Sequence, residues 1–162
     1  MTEKTSGQKD ALTVALKFIS LRPRSKREVA DKLKLKGFAP PEIDSCVDEL
    51  VKAGYLDDEK YAALLSESRI RNKSWGPLKI LNELELKGIP KEIIKKIAGT
   101  YSAGLEADTA ALALKKWLKR KGLAPELDRK GVEKAFRFLK GRGFPSPVIF
   151  KALGGLKDHI EE

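Results

Sequence analysis

Few residues in this sequence have the types and spacing that catalysis or metal binding requires. The chain contains one cysteine, Cys46, and one histidine, His159. A serine or cysteine nucleophile needs a histidine that a third group orients, and a zinc site needs several thiolate or imidazole ligands. Cys46 lies between Ile43 and Leu50 in a helical apolar pattern, which is typical of a core residue. We therefore expect no catalytic residue and no metal site.

Phosphate and magnesium chemistry is equally poorly represented. Asp57, Asp58 and Glu59 could in principle hold Mg²⁺ together with phosphate groups, but they stand at a predicted helix start, where carboxylates cap the helix and favour its dipole. The sequence has neither the Gly-x-x-x-x-Gly-Lys-Ser/Thr loop nor the Gly-x-Gly-x-x-Gly loop, which bind nucleotide phosphates. We predict a protein that is not an enzyme and that needs no cofactor.

Positive charge is the remaining chemical signal. The chain has 33 Lys and Arg residues against 23 Asp and Glu residues, a net charge of +10. Between residues 115 and 142, eleven basic residues face three acidic ones, a local net charge of +8. Such an excess suggests an anionic partner, most often nucleic acid or an assembly that contains it. A solvated helix surface would have the same composition, so the charge alone leaves both interpretations open.

The basic residues that could contact DNA or an acidic protein surface form four groups along the chain. The first follows the first predicted helix, the second ends the fourth helix, and the others lie on the seventh and eighth helices. The candidate contact residues are Arg22, Arg24, Lys26, Arg27, Arg69, Arg71, Lys73, Lys115, Lys116, Lys119, Arg120, Lys121, Arg129, Lys130, Lys134 and Arg137. Lys130, Lys134 and Arg137 share one helical face because they are four and three residues apart.

Base recognition has little support in the sequence. The helices that follow the predicted turns are acidic or apolar and lack the Arg, Asn or Gln pattern that contacts base edges. Trp75, in a predicted loop, could stack on a base as in single-strand binders. Trp117 instead fits an apolar helical stripe, which favours packing. We expect any contact with nucleic acid to be independent of base sequence.

A threefold repeat supplies the elements that position these side chains. Leu35-Lys36-Gly37-Phe38, Leu86-Lys87-Gly88-Ile89 and Gly141-Arg142-Gly143-Phe144 are each followed by a proline and an isoleucine. The glycine at the third place of each stretch recurs at intervals of 51 and 55 residues. A helix that ends with glycine at C′ commonly packs the apolar residue at C″ against another at C3. The pattern predicts these structural roles for Gly37, Gly88 and Gly143 at C′, Leu33, Leu84 and Leu139 at C3, and Phe38, Ile89 and Phe144 at C″.

Each repeat predicts a helix, a tight turn and a second helix, and a longer helical pattern precedes each pair. We therefore expect an all-α fold of nine helices in three tandem three-helix modules, at residues 9–56, 57–101 and 104–157, with flexible ends at 1–8 and 158–162. Loops are expected near residue 54, at 102–104 and at 122–125. Modules this short rarely bury enough apolar surface alone, so neighbours should stack into an elongated, curved molecule. No coiled-coil seam demands a dimer, and we expect a monomer.

Composition also indicates where the protein works. No run approaches 18 apolar residues, so we expect no membrane span. The first ten residues are polar and lack the apolar region of a secretory signal, and a single cysteine cannot form an internal disulfide. These features predict a cytoplasmic protein.

The ordered set of motifs resembles the RecX family of regulatory proteins. The resemblance covers roughly residues 10 to 155, and motif order and spacing both match over 20 to 95. It is carried by Arg22-Pro23-Arg24-Ser25-x-x-Glu28, by Gly54-Tyr55-Leu56-Asp57-Asp58-x-x-Tyr61-Ala62 with Arg69, and by Gly76-Pro77-x-x-Ile80-x-x-Glu83-Leu84-x-x-Lys87-Gly88-Ile89. The third module matches chiefly through Arg142-Gly143-Phe144.

The resemblance implies a bacterial cytoplasmic regulator that binds the RecA recombinase, especially its filament on DNA. Such proteins restrain the ATPase, strand-exchange and co-protease activities of RecA, and so act in DNA repair, recombination and the SOS response. The alternative is a nonspecific nucleic-acid-binding helical protein without a dedicated protein partner. Acidic residues between 42 and 59 favour the first hypothesis to some degree, because a pure nucleic-acid binder gains nothing from them.

Overall fold

A computed structural model describes residues 10–158 of the chain, and this part contains nine α-helices and no strand. The helices are α1 (Ala11–Leu21), α2 (Lys26–Leu35), α3 (Pro40–Lys52), α4 (Asp58–Lys73), α5 (Pro77–Leu86), α6 (Lys91–Ala98), α7 (Ala103–Lys121), α8 (Arg129–Gly141) and α9 (Ser146–Asp158). Apart from Asp158, which ends α9, the ends predicted to be flexible lie outside the described residues, as does His159.

The nine helices pack in threes. The most extensive contacts join α1, α2 and α3, then α4, α5 and α6, then α7, α8 and α9. Each set encloses its own apolar cluster, centred on Val29 and Leu33, on Ala62 and Leu84, and on Leu139. The predicted all-α fold of three tandem three-helix repeats is confirmed. No helix in the described range is both long enough and apolar enough to cross a membrane.

Helix starts are fixed by side-chain caps. The hydroxyl of Ser25 accepts from the backbone N–H of Glu28 at 3.1 Å, and the Glu28 carboxylate accepts from the N–H of Ser25 at 3.0 Å, which is a complete capping box. Asp57 and Asp128 cap α4 and α8 by accepting from the backbone N–H groups of Lys60 and Gly131. The loop predicted at 102–104 is wrong for its last two residues. Ser102 caps α7, and residues 103 and 104 are helical because a serine cap outweighs one glycine in the first turn.

The three repeat glycines end α2, α5 and α8 in the left-handed conformation. Gly37, Gly88 and Gly143 have φ of +86°, +73° and +90°. The N–H of each following residue donates to the carbonyl five positions earlier, at 3.2 Å for Phe38, 3.1 Å for Ile89 and 3.3 Å for Phe144. This is the Schellman arrangement, which satisfies carbonyls that a helix end otherwise leaves without partners.

The second helices of the three modules meet head to tail. At the first junction, the Ser25 hydroxyl, at the start of α2, donates to the Lys87 carbonyl at the end of α5 at 2.7 Å. At the second, the N–H groups of Gly76 and Leu78, at the start of α5, donate to the carbonyls of Arg142 and Gly143 at 2.7 and 3.0 Å. Each contact places the negative end of one helix dipole against the positive end of another, which is favourable.

Candidate nucleic-acid interface

The first basic group surrounds the carboxylate of Glu28. Its Oε1 atom accepts from Arg22 at 2.9 Å and from Lys87 at 3.1 Å, and Arg24 lies 3.9 Å away. The Arg24 guanidinium also lies 3.7 Å from the centre of the Phe18 ring. Burial of Glu28 would raise its pKa, but the hydrogen bonds from the Ser25 N–H, Arg22 and Lys87 lower it overall. Arg24 therefore serves the fold of the first module and its junction.

The other two members of this group also belong to the first junction. The backbone N–H of Lys26 donates to the buried Asp58 carboxylate at 2.9 Å, while the Lys26 side chain forms no ion pair with a described carboxylate. Arg27 pairs with Asp31 at 4.0 Å, and its side chain lies where a Cβ atom on Gly88 would stand. Arg27 thus covers the end of α5.

The second group, at the end of α4, is partly engaged as well. Arg69 holds Glu83 of α5 through two hydrogen bonds of 2.7 and 2.6 Å. The Arg69 hydrogen bonds lower the pKa of Glu83, against the opposing effect of burial. Arg71 pairs with Glu67 at 2.9 Å on the surface. Lys73 is exposed and has no ion pair with a described carboxylate.

The two tryptophans are both occupied by neighbours in the chain. The half-buried Trp75 ring has the cationic groups of Arg69, Lys73 and Lys79 at 5.4, 5.0 and 4.4 Å from its centre. Trp117 is 6% exposed and stacks on Phe138 with the ring centres 5.5 Å apart. Trp117 therefore has no open face for base stacking and packs as its helical position predicts, whereas Trp75 is partly covered by cationic side chains.

The third group, on α7, divides between two faces. Lys115 and Lys119 border an apolar cleft of about 620 Å³ between α7 and α9, with Leu114 and Leu118 in its wall. Lys116 and Arg120 point instead toward the second module: the Lys116 ammonium lies 3.4 Å from the Ser74 hydroxyl. Lys121 is exposed at the end of the helix. The predicted group is thus not a single surface.

The fourth group, on α8, is exposed. Arg129 pairs with Glu133 at 3.6 Å, whereas Lys130, Lys134 and Arg137 form no ion pair with any carboxylate in residues 10–158. Ten of the sixteen candidate side chains share this lack of a described ion-pair partner, and six of the ten lie on α7 or α8 between residues 115 and 130. The ten are Lys26, Lys73, Lys115, Lys116, Lys119, Arg120, Lys121, Lys130, Lys134 and Arg137.

Sequence reasoning missed one basic residue. Arg142 donates to the Lys73 carbonyl at 2.8 Å and lies 5.1 Å from the Phe138 ring centre, beside Lys116 and Arg120. The sequence signal was present, because Arg142 precedes the glycine of the third repeat, where the other repeats have lysine. Its position suggested only a helix end, and its neighbours come from distant parts of the chain.

Reactive groups elsewhere are sparse. Cys46 is buried, and burial raises the pKa of its thiol, which disfavours the nucleophilic thiolate. Among residues 10–158, no group of three or more His, Cys, Asp or Glu side chains could hold a metal ion. Asp57 and Asp58 act in helix capping and in the first junction. The chemistry that the described surface offers is therefore ionic binding.

Comparison with known protein families gives two matches. Residues 11–50 match the first three-helix domain of RecX, and residues 57–96 match the second. Curated relatives named Regulatory protein RecX extend the similarity over most of the chain. The protein from Acidithiobacillus ferrooxidans is 31% identical over 150 residues, covering 93% of each chain. That from Pelodictyon phaeoclathratiforme is 37% identical over 146 residues, covering 88% of this chain and 86% of its own.

Solved structures show the same fold. The crystal structure of RecX from Lactobacillus salivarius superimposes with a TM-score of 0.78 at 22% identity, over 91% of this chain and 94% of that one. A second crystal structure, of regulatory protein RecX, gives a TM-score of 0.75 at 23% identity, over 90% of this chain and 70% of the other. The three-module arrangement is therefore shared with solved structures.

Proposed function

Because this chain belongs to the RecX family of regulatory proteins, we propose that it binds the RecA recombinase filament on DNA and inhibits the ATPase, strand-exchange and co-protease activities of RecA. It acts as a cytoplasmic, monomeric, non-enzymatic regulator of DNA repair, recombination and the SOS response. Nucleic acid is contacted mainly within the filament and without base specificity. The whole-chain similarity to proteins named Regulatory protein RecX carries this proposal.

The distribution of unneutralised charge supports a partner that is a long anionic assembly. Ten candidate cations lack a described ion-pair partner, and they recur from the first module to the third. A filament presents phosphates and protein surface along its length, so one elongated chain can make several weak contacts at once. Linked contacts raise the overall affinity above that of either contact alone.

We propose residues 9–56, 57–101 and 104–157 as the three binding modules; the third boundary lies one residue after the start of α7 at Ala103. Each contains one repeat glycine and one apolar cluster, and the polar head-to-tail junctions fix the order of the modules. A body of this kind can follow a groove that is longer than any single module. Mixed charge in the first module, whose third helix carries Glu42 and Asp48, is suited to a protein surface.

Binding measurements at matched salt test the proposal against the nonspecific alternative. Fluorescence anisotropy would compare RecA filaments on single-stranded DNA, the same DNA alone, and RecA alone. We expect the filament to be bound most tightly, because only the filament presents both surfaces. Equal affinity for naked DNA and for the filament would favour the nonspecific nucleic-acid binder and contradict the proposal.

A further inference from the structure

A small cleft at the junction of the second and third modules gathers four cationic side chains. Lys73 comes from the end of α4, Lys116 and Arg120 from α7, and Arg142 from the turn after α8. The cleft has a volume of about 210 Å³, and Ser74 completes its polar lining. We call this set the junction cleft. Phe138 and the buried Trp117 form its apolar wall, together with Ala113.

The four charges are held in place without a counter-ion in the described chain. The Arg120 and Arg142 guanidinium groups lie 5.9 and 5.1 Å from the centre of the Phe138 ring, within the range of a cation–π contact. Arg142 is also fixed by its hydrogen bond to the Lys73 carbonyl. The positive charge of Lys73 helps to lower the pKa of Glu83, whose carboxylate is already bound by Arg69. Like charges this close repel one another, and an anion among them would relieve that repulsion.

The backbone beside the cleft has an unusual conformation. Ser74 has φ of +49°, the one positive φ of a non-glycine residue among residues 10–158, and is 3% exposed. Its hydroxyl accepts from the Lys116 ammonium at 3.4 Å. A buried serine in the left-handed region is an outlier of the kind that clusters at binding sites. The strained turn places a hydroxyl, which can both donate and accept, at the base of the cationic cleft.

We propose that the junction cleft binds a phosphate group of a nucleic-acid backbone and thereby links the second module to the third. This inference rests on the proposed function for its biological setting, and on the cleft alone for its chemistry. Two guanidinium forks and two ammonium groups suit the several oxygens of a phosphate. Because the charges come from α4, α7 and the end of α8, a bound phosphate contacts both modules and stiffens their junction.

A carboxylate of a protein partner is the competing ligand. Phosphate is favoured because four converging cations exceed what one carboxylate neutralises, while successive phosphates along a strand can engage the outer lysines as well. Ser74 and the exposed Asn72 also line the cleft and offer neutral hydrogen-bonding groups. By contrast, Arg24 and Arg69 already hold carboxylates of this chain: Glu28 has three cations around it, and Glu83 pairs with Arg69.

The test compares two sets of three substitutions. The cleft set is Lys73→Gln, Lys116→Gln and Arg120→Gln, and the control set is Lys52→Gln, Lys60→Gln and Lys91→Gln, three exposed lysines outside the candidate contact residues. Binding of a short fluorescein-labelled oligothymidylate is measured across a salt series. If the one phosphate contact of the cleft is lost, the log–log salt slope of the cleft set should fall by about 0.7, and its affinity should fall by roughly 10- to 100-fold. The control set should lose less than about threefold.

Two further arms keep the result interpretable. Circular dichroism checks folding, and the double variant Lys116→Gln with Arg120→Gln, both exposed on α7, replaces the cleft set if the triple variant unfolds. An oligomer with an uncharged methylphosphonate backbone should bind equally weakly to wild type and to the cleft set. Equal losses in the cleft and control sets, or tight binding of the uncharged oligomer by wild type, would overturn the proposal.

Inhibition of RecA ATPase by the same variants separates this inference from the proposed function. If the cleft set keeps its DNA affinity but no longer inhibits, the cleft takes a protein carboxylate, and the phosphate proposal is wrong although the regulator is not. If wild type binds oligothymidylate through the cleft but leaves RecA unaffected, the cleft proposal stands and the regulatory function is wrong.

Discussion

Alanine substitution of the three repeat glycines distinguishes two losses of stability: one from straining the left-handed backbone, and one from disturbing the contact between modules. Gly37, Gly88 and Gly143 share positive φ, so each alanine should lose about 1 kcal/mol from the left-handed conformation alone. Their surroundings differ. A Cβ on Gly37 meets nothing within 4 Å, one on Gly88 meets the flexible side chain of Arg27, and one on Gly143 meets the backbone of Lys79.

The magnitude for Gly143→Ala follows from what must move. The added Cβ contacts the backbone N and, at 2.9 Å, the Cα of Lys79, so α5 and α8 must separate. That displacement breaks the hydrogen bonds from Gly76 and Leu78 to the end of α8, each worth about 1 kcal/mol net. We expect a loss of about 1 kcal/mol for Gly37→Ala and about 3 kcal/mol for Gly143→Ala. Gly88→Ala should fall between them.

Urea denaturation followed by circular dichroism measures the three losses. The Gly37→Ala variant is the matched control, because it changes the same conformation without a neighbour. If Gly143→Ala destabilises the protein no more than Gly37→Ala, the head-to-tail junction contributes nothing to stability and the reasoning from close approach is wrong.

Three further predictions concern ionic groups. Arg69→Ala should lower the free energy of unfolding by about 2 kcal/mol, because Glu83 loses two charged hydrogen bonds. Arg69→Lys should lose less stability in urea titrations, and an unchanged midpoint for Arg69→Ala would contradict the prediction. The folded-state pKa values of Glu28 and Glu83 lie below the ordinary value of 4.5, so the stability that these carboxylates contribute is present above pH 4.5 and is lost as pH falls through the lower folded-state values. Glu28→Gln and Glu83→Gln should flatten that part of the profile of stability against pH, and an unaltered profile would refute the linkage. Alanine at Lys115, Lys116, Lys119, Arg120 and Lys121 should weaken binding to DNA and to the filament and flatten the salt dependence of binding, while the fold survives. Alanine at five scattered lysines, Lys52, Lys60, Lys91, Lys95 and Lys96, should not, and equal damage by both sets would show that only overall charge matters.

The helices and their order were predictable because their signals are local. Each second helix ends at a glycine whose C3 and C″ neighbours are apolar, and Ser25, Asp57 and Asp128 cap helices through residues three positions later. The loop predicted at 102–104 overlaps the start of α7, because Ser102 caps this helix and Ala103 and Gly104 are its first residues. Local chemistry therefore decides both the helix starts and the helix ends, and at the start of α7 the cap is the stronger local signal.

The surface was less predictable because its partners come from distant positions. Nothing near Arg69 in the sequence shows that Glu83 will hold it, and the Glu28–Lys87 pair joins residues 59 positions apart. Ala111 belongs to the apolar helical pattern of α7, but it is exposed and borders the open cleft between α7 and α9. A helical stripe shows which face is apolar and cannot show whether another helix covers all of it.

The junctions show the same limit. Gly88 and Gly143 are glycines for two reasons. Their positive φ follows from the helix-end pattern in the sequence, but the close approach of the next helix start depends on how the modules are placed. Both reasons meet at the same residues because the head-to-tail contact uses the exposed turn that glycine creates. The first repeat has the turn without the neighbour, which is why Gly37 alone among the three has open space beside it.

The rate of ATP hydrolysis by RecA on single-stranded DNA, measured as this protein is added, tests the central claim most directly. The account predicts a progressive fall in rate at protein concentrations well below those needed to bind the same DNA without RecA, and a much weaker fall for the Lys115–Lys121 alanine set. An unchanged rate at concentrations that saturate naked DNA would contradict the proposed regulation of the filament.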